Sequence, residues 1–491
     1  MDALTSDEIR RIDNNTCIKK GSINLMEDAG CKMASIILSY YTPKNVLLLV
    51  GSGGNGGDAL VVGRYLLDKG INVSAFIISE VKNEDSKINL KRFKGNIIKN
   101  PIFKDYDLII DGILGNNQKT PLKDDLIPLI KEINELDIRV VSLDMPTGIN
   151  TDNGLHLGEF IRSDLLITVE YPKLGLFLQD GLDSYKRLET IKIGMDEPKD
   201  IIHINEEADF KGILKKRDRN SNKSSFGRAS IIAGSRDYAG ASYISYNALN
   251  QFMMGVGYSY LYVPKSLYEL YALRFPELIV SQLSDKDGFI KYNPSELDKI
   301  IASSDAISIG MGMGVSEDLY KTLDYLIHNY DKTLIIDADA LNTISKYGVD
   351  ILLNHKPNII LTPHPKEAER LSGVLVKDIF DNPIDFAKAF AKKYNITLLL
   401  KGASTIITDG THLMISSFGN TGLAKGGSGD ALSGILAGAI ASNGLDIKNV
   451  GLSSFILGRA SELASKDESQ RSLTISKISS NIGKVIKEIE D

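Results

Sequence analysis

The chain has 491 residues, too many for one hydrophobic core and enough for two or three domains. A net charge of −6, with 43% hydrophobic and 24% charged residues, gives no basic footprint for nucleic acid, and no apolar run approaches the length of a membrane span. Two cysteines, Cys17 and Cys31, exclude a disulfide framework and suit a reducing compartment; the polar start MDALTSDEIRRIDNN has no apolar core to serve as a secretory signal, so a cytoplasmic enzyme is expected.

Short apolar runs closed by Gly or Pro alternate with stretches of helical period. In the first half they are NVLLLVG (45–51), NVSAFII (72–78), YDLIIDG (106–112) and RVVSLDMP (139–146). The alternation predicts parallel strands joined by crossover helices, an α/β sheet covered on both faces. Over 195–222 the pattern fades into charge. This stretch is read as the connection, with a boundary near 200–212 and domains of 1–205 and 206–491. Strands resume at ASIIAGS (229–235), YSYLYVP (258–264), AISIGMG (306–312), TLIIDAD (333–339), NIILTPH (358–364) and TLLLKG (397–402). No internal repeat relates the halves, so two different α/β domains are expected.

Behind the first strand runs Gly51-Ser52-Gly53-Gly54-Asn55-Gly56-Gly57-Asp58. Glycines let a backbone turn tightly and approach a ligand, and amides at a helix start favour phosphate oxygens. Gly51, Gly53 and Gly56 satisfy a dinucleotide fingerprint, and Glu80 follows the next strand where a ribose-binding acid belongs. A dehydrogenase is therefore one rival, and a glycine turn without a ligand is another. Asp111 and Asp144 close strands, where open α/β sheets bind ligands. Acids that only cap loops are the simpler alternative. A carboxylate, the Asn55 amide oxygen and the Thr147 hydroxyl would make an all-oxygen set suited to a hard cation.

Leu25-Met26-Glu27-Asp28-Ala29-Gly30, the Asn55-Gly56-Gly57-Asp58 loop, Asp111 and Asp144-Met145-Pro146-Thr147-Gly148 together resemble the NAD(P)H-hydrate epimerase family over roughly residues 1–200. The resemblance implies potassium held by Asn55, Asp111 and Thr147, and Asp144 facing the substrate as a proton-transfer group. It implies substrate contacts from Gly54, Asn55, Gly56, Gly57 and Asp58 and from Gly115, Asn116, Asn117, Gln118, Lys119, Thr120 and Pro121. Epimerisation at the hydroxyl-bearing carbon proceeds by ring opening and reclosure or by loss and return of a group, and both routes stay open. Gly54 stands where Asn is usual, Ala59 replaces Gly, Asn116-Asn117 replace Thr-Gly, Thr147 replaces Ser and Asn150 replaces Asp. The implied cation ligands are retained, whereas the substrate loop is altered.

In the second half, Asn420-Thr421-Gly422-Leu423-Ala424-Lys425-Gly426-Gly427-Ser428-Gly429-Asp430 precedes the apolar ALSGILAGAIASNG. Backbone amides at such a helix start form an anion hole. Asp430 falls in the first turn, where the helix dipole favours its ionised form. A carboxylate there is placed to take a hydroxyl proton as that oxygen attacks a phosphoryl group, unless it merely caps the helix. The Gly-Gly-Ser-Gly-Asp run resembles the ribokinase-like superfamily, in which this Asp is the catalytic base.

Lys223-Ser224-Ser225-Phe226-Gly227-Arg228, Ala233-Gly234-Ser235, Tyr238-Ala239-Gly240-Ala241, Gly310-Met311-Gly312-Met313-Gly314, Asp337-Ala338-Asp339-Ala340-Leu341-Asn342, Thr362-Pro363-His364-Pro365-Lys366-Glu367 and Lys401-Gly402-Ala403-Ser404-Thr405, in this order, resemble the NAD(P)H-hydrate dehydratase family over roughly residues 210–491. That resemblance implies that Ala241, Gly312 or Gly314, His364 and Asp430 contact the hydrated nicotinamide nucleotide. Lys401, Gly402, Ala403, Ser404 and Thr405, with the turn Gly426, Gly427, Ser428 and Gly429, would surround an adenine nucleotide carrying Mg2+. Bacterial and archaeal members, commonly fused to an epimerase as here, resemble ADP users, and eukaryotic counterparts use ATP.

The expectation is an α/β chain of two three-layer αβα domains, Rossmann-like and then ribokinase-like. The first would interconvert R and S NADHX and NADPHX; the second would dehydrate the S form at the expense of ADP or ATP. Its partners would be small molecules, with no nucleic acid and no membrane, and self-association into a homo-oligomer is expected. The alternative is a ribokinase-type small-molecule kinase whose N-terminal module binds nucleotide without epimerase activity.

Overall fold

A computed structural model describes residues 1–251, 255–273 and 279–490. The chain divides into two compact units, Met1–His203 and Ile204–Asp491.

In the N-terminal unit the strands are β1 (Asn45–Val50), β2 (Asn72–Ile77), β3 (Asn96–Ile98), β4 (Leu108–Gly112), β5 (Arg139–Leu143), β6 (Leu165–Val169) and β7 (Leu188–Ile191). They form one seven-stranded sheet in the order β3-β2-β1-β4-β5-β6-β7, with every pairing parallel. The helices are α1 (Ser6–Lys20), α2 (Ser22–Tyr40), α3 (Gly54–Asp68), α4 (Glu84–Arg92) and α5 (Leu126–Glu135). Successive strand side chains point to opposite faces. Val46, Leu48 and Val50 of β1 join a core with Met33 and Ile37 of α2 and Leu60 of α3, whereas Leu47 and Leu49 join Ile130 and Ile133 of α5. Helices thus cover both faces of the sheet.

Three of these strands escaped the sequence pattern. β3 is a three-residue edge strand, largely exposed, so it lacks an apolar run. β6 lies in DLLITVE, bounded by acids in place of Gly or Pro, and β7 is mostly half-buried. The charged stretch 195–222 also carries structure. Ile202–His203 pairs antiparallel with Asp2–Ala3. Ile193, Gly194 and Met195 donate their N–H groups to Glu170 Oε2 at 2.8, 3.0 and 3.3 Å. Phe210, in the second unit, is fully buried and stacks on Phe455 with ring centroids 4.7 Å apart.

In the C-terminal unit the sheet strands are β8 (Arg228–Ile232), β9 (Tyr258–Pro264), β10 (Ile279–Leu283), β11 (Ala306–Ile309), β12 (Thr333–Ile336), β13 (Asn358–Leu361), β14 (Thr397–Leu400), β15 (Thr405–Thr408) and β16 (Leu413–Ser416). The order is β10-β9-β8-β11-β12-β13-β14-β15-β16, parallel through β14 and antiparallel at β15 and β16. Its helices include α6 (Ala239–Gln251), α7 (Lys265–Ala272), α8 (Pro294–Ser303), α9 (Glu317–Asn329), α10 (Ala338–Tyr347), α11 (Pro365–Ser372), α12 (Val376–Asp381), α13 (Pro383–Tyr394), α14 (Ser428–Asn443) and α15 (Ile447–Ala464). From Ala431 to Ile440 every residue of α14 is buried, as a helix apolar all round must be. Among the described residues no helix is long and apolar enough to cross a membrane.

Candidate functional site

Each sheet reverses its strand order once, between β1 and β4 in the first unit and between β8 and β11 in the second. At such a reversal the loops beyond the strand ends diverge and leave a crevice. In the first unit a cleft of about 700 Å³ opens there. Its wall combines Ser52–Asn55 after β1, Ile113–Gly115 after β4 and Asp144 after β5 with Ile9, Asp13 and Cys17 of α1.

Asn55 is 8% exposed at the start of α3. Its Nδ2 donates to Leu114 O at 2.9 Å, while its Oδ1 is buried without a hydrogen-bond partner. Leu114 N–H in turn donates to Thr147 Oγ1 at 3.2 Å, and that hydroxyl donates to Asp111 Oδ1 at 2.7 Å. The amide, hydroxyl and carboxylate expected to hold a cation are therefore linked through one backbone residue. Asp111 is fully buried and also accepts from Ile113 N–H, Ser142 Oγ and Thr147 N–H at 3.2, 2.9 and 2.9 Å. Burial raises its carboxyl above the usual carboxylate range, against the pull of those bonds.

Asp144 adopts a left-handed backbone, φ 66°, which few non-glycine residues do outside strained or functional turns. Its Oδ1 forms an ion pair with Lys173 Nζ, a lysine only 1% exposed that also donates to Thr168 Oγ1 at 3.0 Å. Gly115 lies between the two acidic loops: a Cβ there would stand 3.3 Å from Asn55 Cβ and 3.6 Å from Asp144 Oδ2. Asp58 faces the same cleft from α3. Burial, then the Asp144 and Asp13 charges, push its carboxyl well above the usual range.

Not every expected contact reaches this cleft. Gly54, Asn55, Asp58, Gly115–Gln118, Thr120 and Pro121 are on its wall, and Gly56, Gly57 and Lys119 are not. The two glycines let α3 pack tightly: a Cβ on Gly56 would meet Gly51 O at 2.3 Å, and one on Gly57 would meet Ser86 Oγ at 2.4 Å. Lys119 turns instead to Asp152 and Asp7, at 2.8 and 3.6 Å. The Gln118 amide braces two loops, donating to Pro146 O at 3.0 Å and accepting from Gly148 N–H at 2.6 Å. Glu80, the acid on which the dehydrogenase rival leaned, is exposed and off the wall.

Sequence reasoning missed Lys173 and Asp13. The available signals were a single lysine inside the apolar stretch YPKLGLFL and an acid at the i+4 position from Ile9 on a helix face.

In the second unit the candidate residues gather at strand ends. Gly312 and Gly314 follow β11, Asp337 and Asp339 follow β12, His364 follows β13 and Lys401 follows β14, with Gly427–Asp430 opening α14. No side chain caps α14, whose N-cap is Gly427. Lys401 Nζ donates to Asp337 Oδ1 at 2.8 Å and lies 3.9 Å from Glu367 Oε2. Ser433 Oγ donates to Asp337 Oδ2 at 2.7 Å. Burial opposes the charge on Asp337, yet Lys401 brings the carboxyl below its ordinary range. The lysine stands directly under the glycine turn: a Cβ on Gly429 would be 3.3 Å from its Nζ.

For Asp430 the helix-dipole argument is outweighed. Burial first, then the Asp337 charge, push its carboxyl up to about 7, with Lys401 acting the other way. A base near neutrality combines a large ionised fraction with real proton affinity. Ala241 and Gly312 touch, since a Cβ on Gly312 would fall 2.7 Å from Ala241 Cβ, and Gly314 N–H donates to Asp339 Oδ2 at 2.8 Å. His364 caps α11, its Nδ1 accepting from Lys366 N–H at 3.1 Å and Glu367 N–H at 3.4 Å. Burial and then Lys401 lower its pKa, so the ring is neutral and its outer edge, Nε2, is left for a ligand or for Glu367 at 3.5 Å. Gly402, Ala403 and Gly426 are exposed, Ser404 is buried and Thr405 half-buried.

Residues 229–484 match the NAD(P)H-hydrate dehydratase family, and residues 22–175 match the YjeF-related protein N-terminus. A bifunctional NAD(P)H-hydrate repair enzyme of Dictyoglomus turgidum is 31% identical over 97% of this chain and 97% of its own length. Its counterpart in Thermofilum pendens is 29% identical over 99% of this chain and 96% of its own. Among solved structures, the ADP/ATP-dependent NAD(P)H-hydrate dehydratase of Bacillus subtilis, co-crystallized with ATP/Mg2+, is 27% identical with a TM-score of 0.50, covering 58% of this chain and 98% of that one. A ribokinase-like superfamily protein of Enterococcus faecalis, at 24% identity and a TM-score of 0.52, shares the fold over 59% of this chain and 96% of its own.

Proposed function

The chain belongs to the family of bifunctional NAD(P)H-hydrate repair enzymes, and from that premise we propose that its two clefts divide the repair between them. The N-terminal cleft interconverts the R and S hydrates, and the strand ends around α14 dehydrate the S form. The observation that carries the second assignment is the placement of Asp430 in the first turn of α14, beside an uncapped glycine turn with Lys401 under it, where burial and then the Asp337 charge push its carboxyl up to about 7.

For dehydration, Asp430 takes the proton of the hydrate's hydroxyl as that oxygen attacks the terminal phosphoryl group of the nucleotide. The amides of Gly426, Gly427, Ser428 and Gly429 and the Lys401 ammonium bind the phosphate oxygens, with Thr405 and the loop Gly402–Ser404 beside the nucleoside. Hydroxide is a poor leaving group, whereas phosphate departs readily, pushed by the lone pair of the ring nitrogen. Loss of a ring proton completes the double bond, so hydrate and ADP yield NAD(P)H, AMP and phosphate. Mg2+ bound with the nucleotide would supply positive charge to offset that of the phosphates. Ala241, Gly312, Gly314 and His364 would position the hydrated ring.

In the N-terminal cleft, Asn55, Asp111 and Thr147 would hold K+. The buried, unpartnered Asn55 Oδ1 fits this, because a buried amide oxygen needs a partner. Bound there, the ion would fix the loops after β1, β4 and β5 and add positive charge beside the substrate. Asp144, oriented by Lys173, would serve proton transfer. Gly54, Asp58, Gly115, Asn116, Asn117, Gln118, Thr120 and Pro121 would contact the hydrate, whereas Gly56, Gly57 and Lys119 would act by shaping that wall. A homo-oligomer acting on small molecules, in the cytoplasm, completes the reading.

The test is direct. Purified R and S hydrates of NADH and NADPH are incubated with the chain, Mg2+, K+ and either ADP or ATP. Return of NAD(P)H absorbance with stoichiometric phosphate release supports the dehydratase. Accumulation of a stable phosphorylated product would instead establish the ribokinase-type kinase, which the matches along both halves do not favour.

A further inference from the structure

Helix α1 presents Ile9, Asp13 and Cys17 to the N-terminal cleft, one residue per turn along a single face. Asp13 is half-buried there. Its Oδ1 accepts from Cys17 Sγ at 3.7 Å, and burial, then the Asp13 charge, hold that thiol up at about 11, so it remains a donor. The other ionisable groups on the wall are Asp58 on α3, Asp85 on α4, Lys123 and Asp125 before α5, Asp144 after β5, and Lys173. Lys173 is spent on Asp144, whose charge acts on both Asp13 and Asp58; of these two, Asp13 stands on α1, across the cleft from the sheet. Asp144 has an ammonium as partner and Asp13 has a thiol. Burial and then the Asp144 charge raise the Asp13 carboxyl, with Cys17 and Lys173 opposing. Acid and base roles separate where neighbouring carboxyls have different surroundings.

We propose that Asp13 is the second catalytic acid–base residue of this cleft, acting on the hydrated nicotinamide ring from α1 while Asp144 acts from the sheet. The proposal rests on the reading of this unit as the epimerase. The step balances without a redox partner. Asp144 takes the hydroxyl proton, the bond between the hydroxyl-bearing carbon and the ring nitrogen breaks with its electron pair going to nitrogen, and the oxygen becomes a carbonyl. The nitrogen takes a proton from Asp13. Rotation about the adjoining carbon–carbon bond, followed by the reverse steps, returns both protons and leaves the opposite configuration. Cys17 is a positioning residue that occupies Oδ1 and leaves Oδ2 to the substrate.

The test uses the full chain and pure R hydrate, with K+ present and no nucleotide, and follows the appearance of S hydrate by chiral chromatography. Asp13→Asn should slow epimerisation by about 10²–10⁴-fold, the usual share of a positioned acid–base group. Asp13→Glu should recover part of it, and dehydration of S hydrate should be unchanged in both. In the wild type the rate should fall on the alkaline side as Asp13 loses its proton, and the residual rate of Asp13→Asn should lack that limb. A rate within threefold of wild type in Asp13→Asn overturns the proposal. So does a slowed variant that keeps the wild-type alkaline limb, since that marks a structural role. Absence of epimerisation in the wild type overturns the epimerase reading itself and the proposal with it.

Discussion

Both units place a lysine against an aspartate at a strand end, and they use the pair differently. In the N-terminal cleft Lys173 is paired with Asp144 on the wall after β5, while among the described residues Asp13 and Asp58 on the helical side have no lysine of their own. Around α14, Lys401 is paired with Asp337, which is 1% exposed and behind the site, and Asp430 is the acid left to titrate near 7. On the proposed reading the first lysine would orient the reacting carboxylate, and the second would keep its charge beneath the anion hole while relieving the burial of Asp337. The contrast matches the chemistry assigned to each side. Epimerisation moves protons on and off one molecule, and phosphoryl transfer needs positive charge near phosphate and one free base.

The largest expected effect removes that free base. Asp430→Asn keeps size and helix-start polarity but accepts no proton, so dehydration should fall about 10²–10⁴-fold while epimerisation is untouched. Near-normal dehydration in this variant would dissolve the contrast. Next comes Lys173→Met, which keeps the apolar stem and leaves Asp144 unclamped; epimerisation should drop by about 10²-fold with dehydration of S hydrate preserved. Equal loss of both activities would mean that Lys173 supports folding alone.

The pH dependence sharpens the comparison. Dehydration limited by Asp430 should rise through about pH 7 and level off above it. The folded chain binds this proton more tightly than the unfolded one, whose carboxyl titrates at about 4. Stability from Asp430 therefore declines as pH rises from about 4 to about 7. Asp430→Asn should unfold at a higher temperature than wild type at pH 8, and the gap should close as pH falls toward 4. An unchanged melting temperature at pH 8 would show that Asp430 is not strained by burial. The smallest effect is Thr405→Ala, worth about one hydrogen bond, which should raise the apparent KM for ADP or ATP roughly fivefold and leave that for the hydrate alone. Equal changes for both substrates would place Thr405 in the scaffold.

Local chemistry is legible in the sequence itself. The glycine turn before α14 marks itself because only a run of small residues brings consecutive amides to one anion, and Asp111 and Asp144 mark themselves by closing apolar runs. The same punctuation located the buried central strands, since a strand covered on both faces has to be apolar throughout. β3 and β7 were silent because edge strands bury little, and Phe210 was silent because one aromatic in a charged stretch has no period.

What the tertiary structure decided was charge and company. Sequence put Asp430 at a helix start and so favoured its ionised form; burial first, and then the charge of Asp337 brought close from far back in the chain, reverse the direction. Lys173 reads as one surface lysine among many until the fold buries it against Asp144, and Asp13 reads as a solvated helix residue until α1 is laid along the cleft. Residue type and spacing fix which groups a chain can offer. Burial and pairing, which exist only once the sheet has assembled, fix which of them carries a proton.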